Sequence, residues 1–472
     1  MKALEAAFDP ERFRTEGHRV VDLLADMLRS ETAGEGVVLP WASPEEEMAH
    51  WKTRMAGPPQ CPSDFVAEVI ARSIKLHHPR YMGHQVCAPA PDSALAGFAS
   101  ELLNNGMAVY EMGPASNALE RWIIQKTCGK IGFSNGDGFL TSGGTLGTLT
   151  ALLAARSKMA GHARELAVIA SEEAHYCTAR AVEIMGGDRQ GLLTVPVDDR
   201  FKMRTDLLGE ALEESARLGR RSIALVASSC STSTGSYDDI NACADFCERH
   251  GLWLHVDGAH GAAVAFHPGL RDRIAGIERA HSVVLDFHKL LLTPALATAV
   301  MFREPGDSWA AFHQQARYLF EEDDCDAWKD GGRRTLECTK LGMSLKIAAL
   351  WRASGEEVFR EHLAAVHTLA QEFAAILRSR PPFEVAVEPE SNIVCFRLNP
   401  PSCDGGTADA LNARARRAVV ESGRFYIVQT VLRGRTWLRA ALMNPFTTIG
   451  DLSAMLDAVE MAASMRETES SR

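Results

Sequence analysis

The chain has 472 residues, 46% hydrophobic and 24% charged, with 61 acidic against 50 basic side chains and a net charge of −11. This is the composition of a globular protein long enough for two or three domains, and its acidity excludes the basic footprint of nucleic-acid binding. No apolar run is long enough to span a bilayer and the N-terminus lacks a basic-then-apolar leader, so the expected compartment is the cytoplasm, where the eleven cysteines stay reduced.

From Asp9 to about Arg29, Phe13, Val20, Leu23, Leu24, Met27 and Leu28 recur at helical spacing with charges between them. This amphipathic helix packs either on its own domain or on a partner subunit. Gly34, Gly36, Pro40 and Pro44 then mark a linker. We assign residues 1–90 to an N-terminal helical segment expected to pack in a dimer, 91–359 to a large domain, and 360–472 to a smaller C-terminal α+β domain.

Between residues 95 and 300 helices and strands alternate. Ser116–Gly129, Thr145–Met159 and Tyr237–His250 read as helices. Leu166–Ala170, Leu192–Val195, Ile223–Ala227, Leu252–Val256 and Ser282–Leu285 read as short buried strands. Such alternation predicts an α/β fold whose mainly parallel sheet is covered on both faces, with ligands bound at the C-terminal strand ends. Cys243, Cys247 and His250 share one helix face. No fourth zinc ligand accompanies them, so we read the thiols as packing residues and expect no metal. Further on, Leu341–Arg352 reads as helix, Val394–Arg397 and Thr436–Ala441 as strands, and Asp451–Met465 as a terminal helix. The polar tail after Arg466 reads as disordered.

The chemistry concentrates in two apolar strands. One ends Leu254-His255-Val256-Asp257-Gly258-Ala259-His260, the other Leu285-Asp286-Phe287-His288-Lys289. A carboxylate at one strand end and a lysine after the next suit pyridoxal 5'-phosphate (PLP). That cofactor needs an amine for its aldehyde and a carboxylate to keep its ring nitrogen protonated. Upstream, Thr141-Ser142-Gly143-Gly144-Thr145 opens a helix whose first N–H groups suit the phosphate. His175 follows a strand end, where it either stacks on the ring or caps a helix. Ser231-Thr232-Ser233-Thr234-Gly235 follows another, as phosphate donors or as ordinary turn residues.

With these motifs the chain resembles the group II PLP-dependent amino-acid decarboxylases, the glutamate, cysteine sulfinate and aromatic amino acid enzymes among them. The resemblance runs from the N-terminal helix through His78-Pro79-Arg80-Tyr81 and Tyr110-Glu111-Met112-Gly113-Pro114 to Leu438-Arg439-Ala440 with Asn444-Pro445. Tyr318-Leu319-Phe320 and Leu336-Glu337-Cys338-Thr339 place it nearest the glutamate and cysteine sulfinate branch. The resemblance implies a fold-type I PLP enzyme, a homodimer, and decarboxylation of an L-amino acid to its amine. It also implies site roles. Lys289 would form the Schiff base, Asp257 would pair with the pyridinium, and His175 and Ala259 would cover the ring's two faces. Gly144, Thr145 and Thr232 would hold the phosphate with His288 beside it, and Arg439 would grip the substrate's α-carboxylate. Read by itself, Arg439 is only a charge on a C-terminal strand.

Three positions depart from the family pattern. Lys329, in Cys325-Asp326-Ala327-Trp328-Lys329-Asp330-Gly331-Gly332, aligns where most decarboxylases carry the tyrosine that protonates Cα, and it serves there as that proton donor, as a contact to an acidic substrate side chain, or as a solvated loop lysine. Met82-Gly83-His84-Gln85-Val86 matches neither the glutamate-type nor the aromatic-type substrate segment. His84 and Gln85 either bond a polar substrate side chain or are satisfied within the fold. His260 replaces a larger aromatic. The missing tyrosine leaves oxidative or transaminating chemistry, giving an aldehyde, as the alternative outcome. A non-catalytic PLP-binding scaffold is disfavoured by the full set of Lys289, Asp257, His175 and Arg439.

Overall fold

The computed structural model describes residues 2–158, 165–312, 316, 320 and 327–464. The chain divides into two compact units, one of residues 1–84, 372–386 and 395–472, the other of residues 85–371 and 387–394. Among the described residues no helix is long and apolar enough to cross a membrane.

The second unit is built on a seven-stranded sheet. Its strands are β1 (Asp137–Thr141), β2 (Leu166–Ser171), β3 (Leu192–Val195), β4 (Arg221–Ser228), β5 (Trp253–Asp257), β6 (Ser282–Asp286) and β7 (Thr298–Phe302), in the spatial order β1-β7-β6-β5-β4-β2-β3. The β2, β4 and β6 strands are apolar runs buried almost end to end, the signature of a sheet covered on both faces. The five expected strands are present within a residue or two. β1 ends at Thr141, directly before the Ser142-Gly143-Gly144 turn. β7 carried no sequence signal strong enough to separate it from the loop before it. It runs antiparallel to both β1 and β6, so the sheet is mixed, mostly parallel, as in the fold-type I expectation.

This inserted strand matters for the site. Thr141 at the end of β1 and Asp286 at the end of β6 both face Thr298 of β7. Two chain segments far apart in sequence thus end level with each other at one sheet edge. β5 lies beside β6, which brings Asp257 to the same edge.

The helix Ile240–His250 packs on this sheet and buries Cys243 and Cys247, as read from the sequence. Burial pushes the Cys247 thiol up to about 12, so these thiols stay protonated packing groups.

In the first unit, β8 (Phe383–Val385) pairs antiparallel with β9 (Ile393–Leu398), and β10 (Val428–Leu432) with β11 (Arg435–Ala441). The last two are joined by Arg433 and Gly434, both with positive φ, which makes a tight two-residue hairpin turn. The N-terminal residues are stitched to this C-terminal part. The Asn444 amide donates to the carbonyls of Leu76 and His78 at 2.9 and 3.0 Å, and Met82 N–H to the Tyr426 carbonyl at 2.9 Å. The helix Pro10–Thr32 matches the expected amphipathic helix. Its buried side chains are Glu16 and Glu31, while Phe13, Val21 and Leu24 are exposed.

Candidate active site

A cavity of about 470 Å³ opens at the C-terminal strand ends of the second unit. β1 delivers Ser142 and the start of the helix Gly144–Lys158, whose first N–H groups have no partner within the helix. Gly143 has φ +150°, and a Cβ on Gly144 would lie 3.2 Å from the Ala259 methyl and 3.4 Å from both Asp286 carboxylate oxygens. Any larger residue at Gly144 would fill this cradle.

Asp257 closes β5 and lines the cavity. Its Oδ1 accepts from the Ala259 N–H at 3.2 Å, and its Oδ2 lies 3.9 Å from the Cys177 thiol. Burial, reinforced by Asp257, pushes that thiol up to about 12, so it faces the carboxylate as a neutral S–H.

Lys289 follows β6, and its Nζ is 3.0 Å from Asp286 Oδ2. Burial by itself would lower the ammonium's pKa. The carboxylates of Asp286 and Asp257 more than offset it, and the net shift is upward. His288 is buried, with Nε2 3.7 Å from Asp286 Oδ2 and Nδ1 accepting from the Ala297 N–H at 3.1 Å.

His175 follows β2 and is fixed by the Cys177 N–H, which donates to its Nδ1 at 3.3 Å. Burial lowers its pKa, with Asp257 pulling the other way, so the ring stands neutral at neutral pH. β4 leads to Ser231 and Thr232 on the cavity wall, where Ser231 and Thr234 share a 2.8 Å hydroxyl contact. His260, one of the three departures, is buried with Nε2 2.7 Å from Asn392 Oδ1.

The structure therefore brings Gly144, Thr145, His175, Thr232, Asp257, Ala259, His288 and Lys289 onto one cavity. The sequence reading attached no role to Asp286, Cys177 or Arg180, which line it as well. A carboxylate three residues before the lysine was the available signal for Asp286.

The remaining candidates lie elsewhere. Arg439 is on β11 of the first unit, buried, opposite Val428. His84 belongs to the same unit, its ring 5.9 Å from that of Tyr426. A Cβ on the preceding Gly83 would come within 2.3 Å of the Tyr426 ring, so only glycine lets this segment pass. Burial, then the charges of Arg439 and Arg416, lower the His84 pKa, which places this histidine in a positive field. Gln85 opens the second unit. Lys329 is half-buried in a single turn, Ala327–Lys329, and is not among the residues lining the cavity. That turn is tied down by the Arg121 guanidinium, 5.4 Å above the Trp328 ring, and by Asp330, which accepts from the Tyr110 N–H at 3.0 Å. Tyr318, Leu319, Cys325 and Asp326 lie outside the described residues, as do Met159, Met465 and the tail after Arg466.

The donor set fits PLP: an amine, a facing carboxylate, a flat neutral ring and a glycine-lined helix N-terminus share one cavity. Comparison with known proteins agrees. A family model described as the pyridoxal-dependent decarboxylase conserved domain matches residues 64–399. Human cysteine sulfinic acid decarboxylase is 30% identical over 382 residues, 78% of this chain and 77% of that protein. A human acidic amino acid decarboxylase is 26% identical over 473 residues, 96% of this chain and 90% of its own. The crystal structure of mouse CSAD superposes with a TM-score of 0.89 at 25% identity, covering 96% of this chain and 99% of that one.

Proposed function

The chain belongs to the pyridoxal-dependent decarboxylase family, and from that premise we propose that it converts an acidic L-amino acid to the corresponding amine and carbon dioxide. It is a PLP-dependent carboxy-lyase. The observation that carries the residue assignments is that Lys289, Asp257, His175 and the Gly144 turn share one cavity.

Bound PLP supplies an electron sink for the pair left when the bond between Cα and its carboxylate breaks. Lys289 would carry the cofactor through its aldehyde, and Asp257 would keep the ring nitrogen protonated. His175 and Ala259 would cover the ring faces, and Gly144, Thr145 and Thr232 would hold the phosphate with His288 beside it. On the family resemblance, Arg439 takes the substrate's α-carboxylate, and Lys329 stands in for the tyrosine that returns a proton to Cα.

Two observations support an acidic substrate. The matched relatives bear acidic substrates in their names. Within the first unit, Arg439 and Arg416 put His84 in a positive field, which favours a second negative group nearby. His84 and Gln85 are the residues we assign to the substrate side chain.

The protein acts as a homodimer. The helix Pro91–Leu103 is inside out: Ser93 and Ser100 are buried and donate to the carbonyls of Lys346 and Gly342, while Leu95, Phe98, Leu102 and Leu103 are more than half exposed. Tyr110 and Met112 of the same unit are exposed as well. An apolar helix face of this extent needs a partner, and a second copy of the chain supplies one.

A panel of L-amino acids, assayed for carbon dioxide, amine and aldehyde, tests the reading. Cysteine sulfinate, aspartate or glutamate should give carbon dioxide and amine in equal amounts. Turnover confined to aromatic substrates would overturn the acidic assignment, and aldehyde in place of amine would overturn the product.

A further inference from the structure

Asp286 is 2% exposed, and burying a carboxylate is costly unless its charge is matched. Its matching is specific. Oδ2 lies 3.0 Å from Lys289 Nζ, and Thr298 Oγ1 donates to Oδ1 at 2.5 Å. The Asp286 N–H donates to the Ala259 carbonyl at 3.0 Å and fixes the backbone from which the carboxylate projects. Both oxygens abut the Gly144 cradle. The carboxylate is thus locked against the reactive nitrogen from one side, while Asp257 belongs to the neighbouring strand.

We propose that Asp286 is the counter-ion of Lys289, holding a proton on that nitrogen both when the lysine is free and when it is linked to the cofactor. This rests on the reading of Lys289 as the cofactor lysine. A protonated nitrogen leaves the adjoining carbon more open to attack by a substrate amine. Asp286 is a catalytic residue on this account, because it touches the reacting atom.

The other groups that act on Lys289 are Asp257, Cys230, Cys177 and His175, with His288 next to it in the chain. Burial keeps His175 and Cys177 neutral at neutral pH. Asp257 is the one other carboxylate among them, and it cannot replace Asp286 once it is committed to the ring nitrogen. Asp286 therefore sets the proton affinity of the Lys289 nitrogen.

The test is the pH titration of the visible absorbance of the holoenzyme, in wild type and in Asp286→Asn. The amide keeps the shape and a partner for Thr298 and removes only the charge. The titration midpoint should fall by about one pH unit or more in the variant. The rate of Lys289 modification by an amine-directed reagent in the cofactor-free protein should show a midpoint shifted in the same direction. A carboxylate that merely anchors Thr298 moves neither midpoint, and two unchanged midpoints overturn the proposal. If the variant does not fold, wild type still decides: its band should stay protonated beyond about pH 8, and bleaching below about pH 7 overturns the proposal. Borohydride reduction and peptide mapping separate this from its premise. Trapping on another lysine sinks the assignment of Lys289, whereas trapping on Lys289 with unshifted midpoints sinks the counter-ion alone.

Discussion

Asp257 carries the sharpest expectation for a single residue. Its carboxylate reaches the cavity with one oxygen fixed by the Ala259 N–H. Asp257→Asn keeps that geometry and removes the charge that, on the proposed role, would hold a proton on the ring nitrogen. We expect kcat to fall more than about a hundredfold, roughly 2.7 kcal/mol of barrier, with the melting temperature little changed. A loss below about tenfold would refute the role. Lys329 is one of the three positions at which the sequence departs from the family pattern. A free lysine ammonium has a pKa near 10.4, close to that of a tyrosine hydroxyl, so it can serve as a proton donor. Lys329→Met should cut amine formation more than about tenfold with KM unchanged, and aldehyde should rise. A raised KM confined to acidic substrates would instead assign Lys329 to side-chain recognition. The candidate cofactor residues that line the cavity were legible because PLP demands few groups and each sits at a strand end. Asp286 was printed in the same motif, yet its role depends on a 3.0 Å contact that the motif alone does not display.

At the scale of elements, the pairing of β1 with β7 decides where the Ser142–Gly144 turn stands. Gly138 of β1 lies against β7 so tightly that a Cβ would fall 2.1 Å from the Val300 carbonyl oxygen and 3.0 Å from Met301 Cα. Both are backbone atoms in a paired strand and cannot rotate away. Gly138→Ala should therefore cost about 1–3 kcal/mol of stability and displace the Ser142–Gly144 turn that directly follows the strand. Thermal melts and PLP affinity check this together: a lower melting temperature with a weaker cofactor constant is expected, and unchanged values for both would show that the edge is not load-sensitive. The helices and parallel strands were legible from periodicity. β7 was not, because Thr298–Phe302 continues an apolar stretch that begins at Leu290, with only Thr293 and Pro294 to mark a turn before it.

For the whole molecule, assembly and acid stability follow from what is exposed and what is buried. Leu95→Asp with Phe98→Asp puts charges on the outward face of the helix Pro91–Leu103 and leaves its buried serines intact. Sedimentation should show a dimer for wild type and a monomer with lost activity for the double variant. A wild-type monomer with full turnover would sink the homodimer. Burial holds His255, His281, His362 and His367 down to about 4, against 6.5 for the unburied group. A depressed histidine pKa favours the neutral folded form, so this stability is complete above about pH 6.5. It is lost as pH falls toward 4, by up to about 1.4 kcal/mol per pH unit for each histidine. Asp238 works the other way, since burial pushes its carboxyl up to about 6, but it is one group against four. Melting temperature should drop between pH 6.5 and 4.5. His362→Leu, at a ring whose two nitrogens have no hydrogen-bond partner, should flatten that slope, and an equally steep profile would acquit His362.

The sequence by itself determined the fold class and the cofactor and singled out Asp257 and Lys289 as candidates, because each rests on local order: period, strand end, turn glycine, and the spacing of Asp257 from Lys289. Tertiary structure decided what non-local pairing controls. The insertion of β7 aligned Thr141 with Asp286, the stitching of Met82 to Tyr426 joined N-terminal and C-terminal residues in one unit, and the lock on Asp286 formed only when β6, β7 and the Ala259 turn met. The physical reason is that periodicity reports which face of an element is buried, whereas the partner that buries it is chosen by contacts between residues distant in the chain.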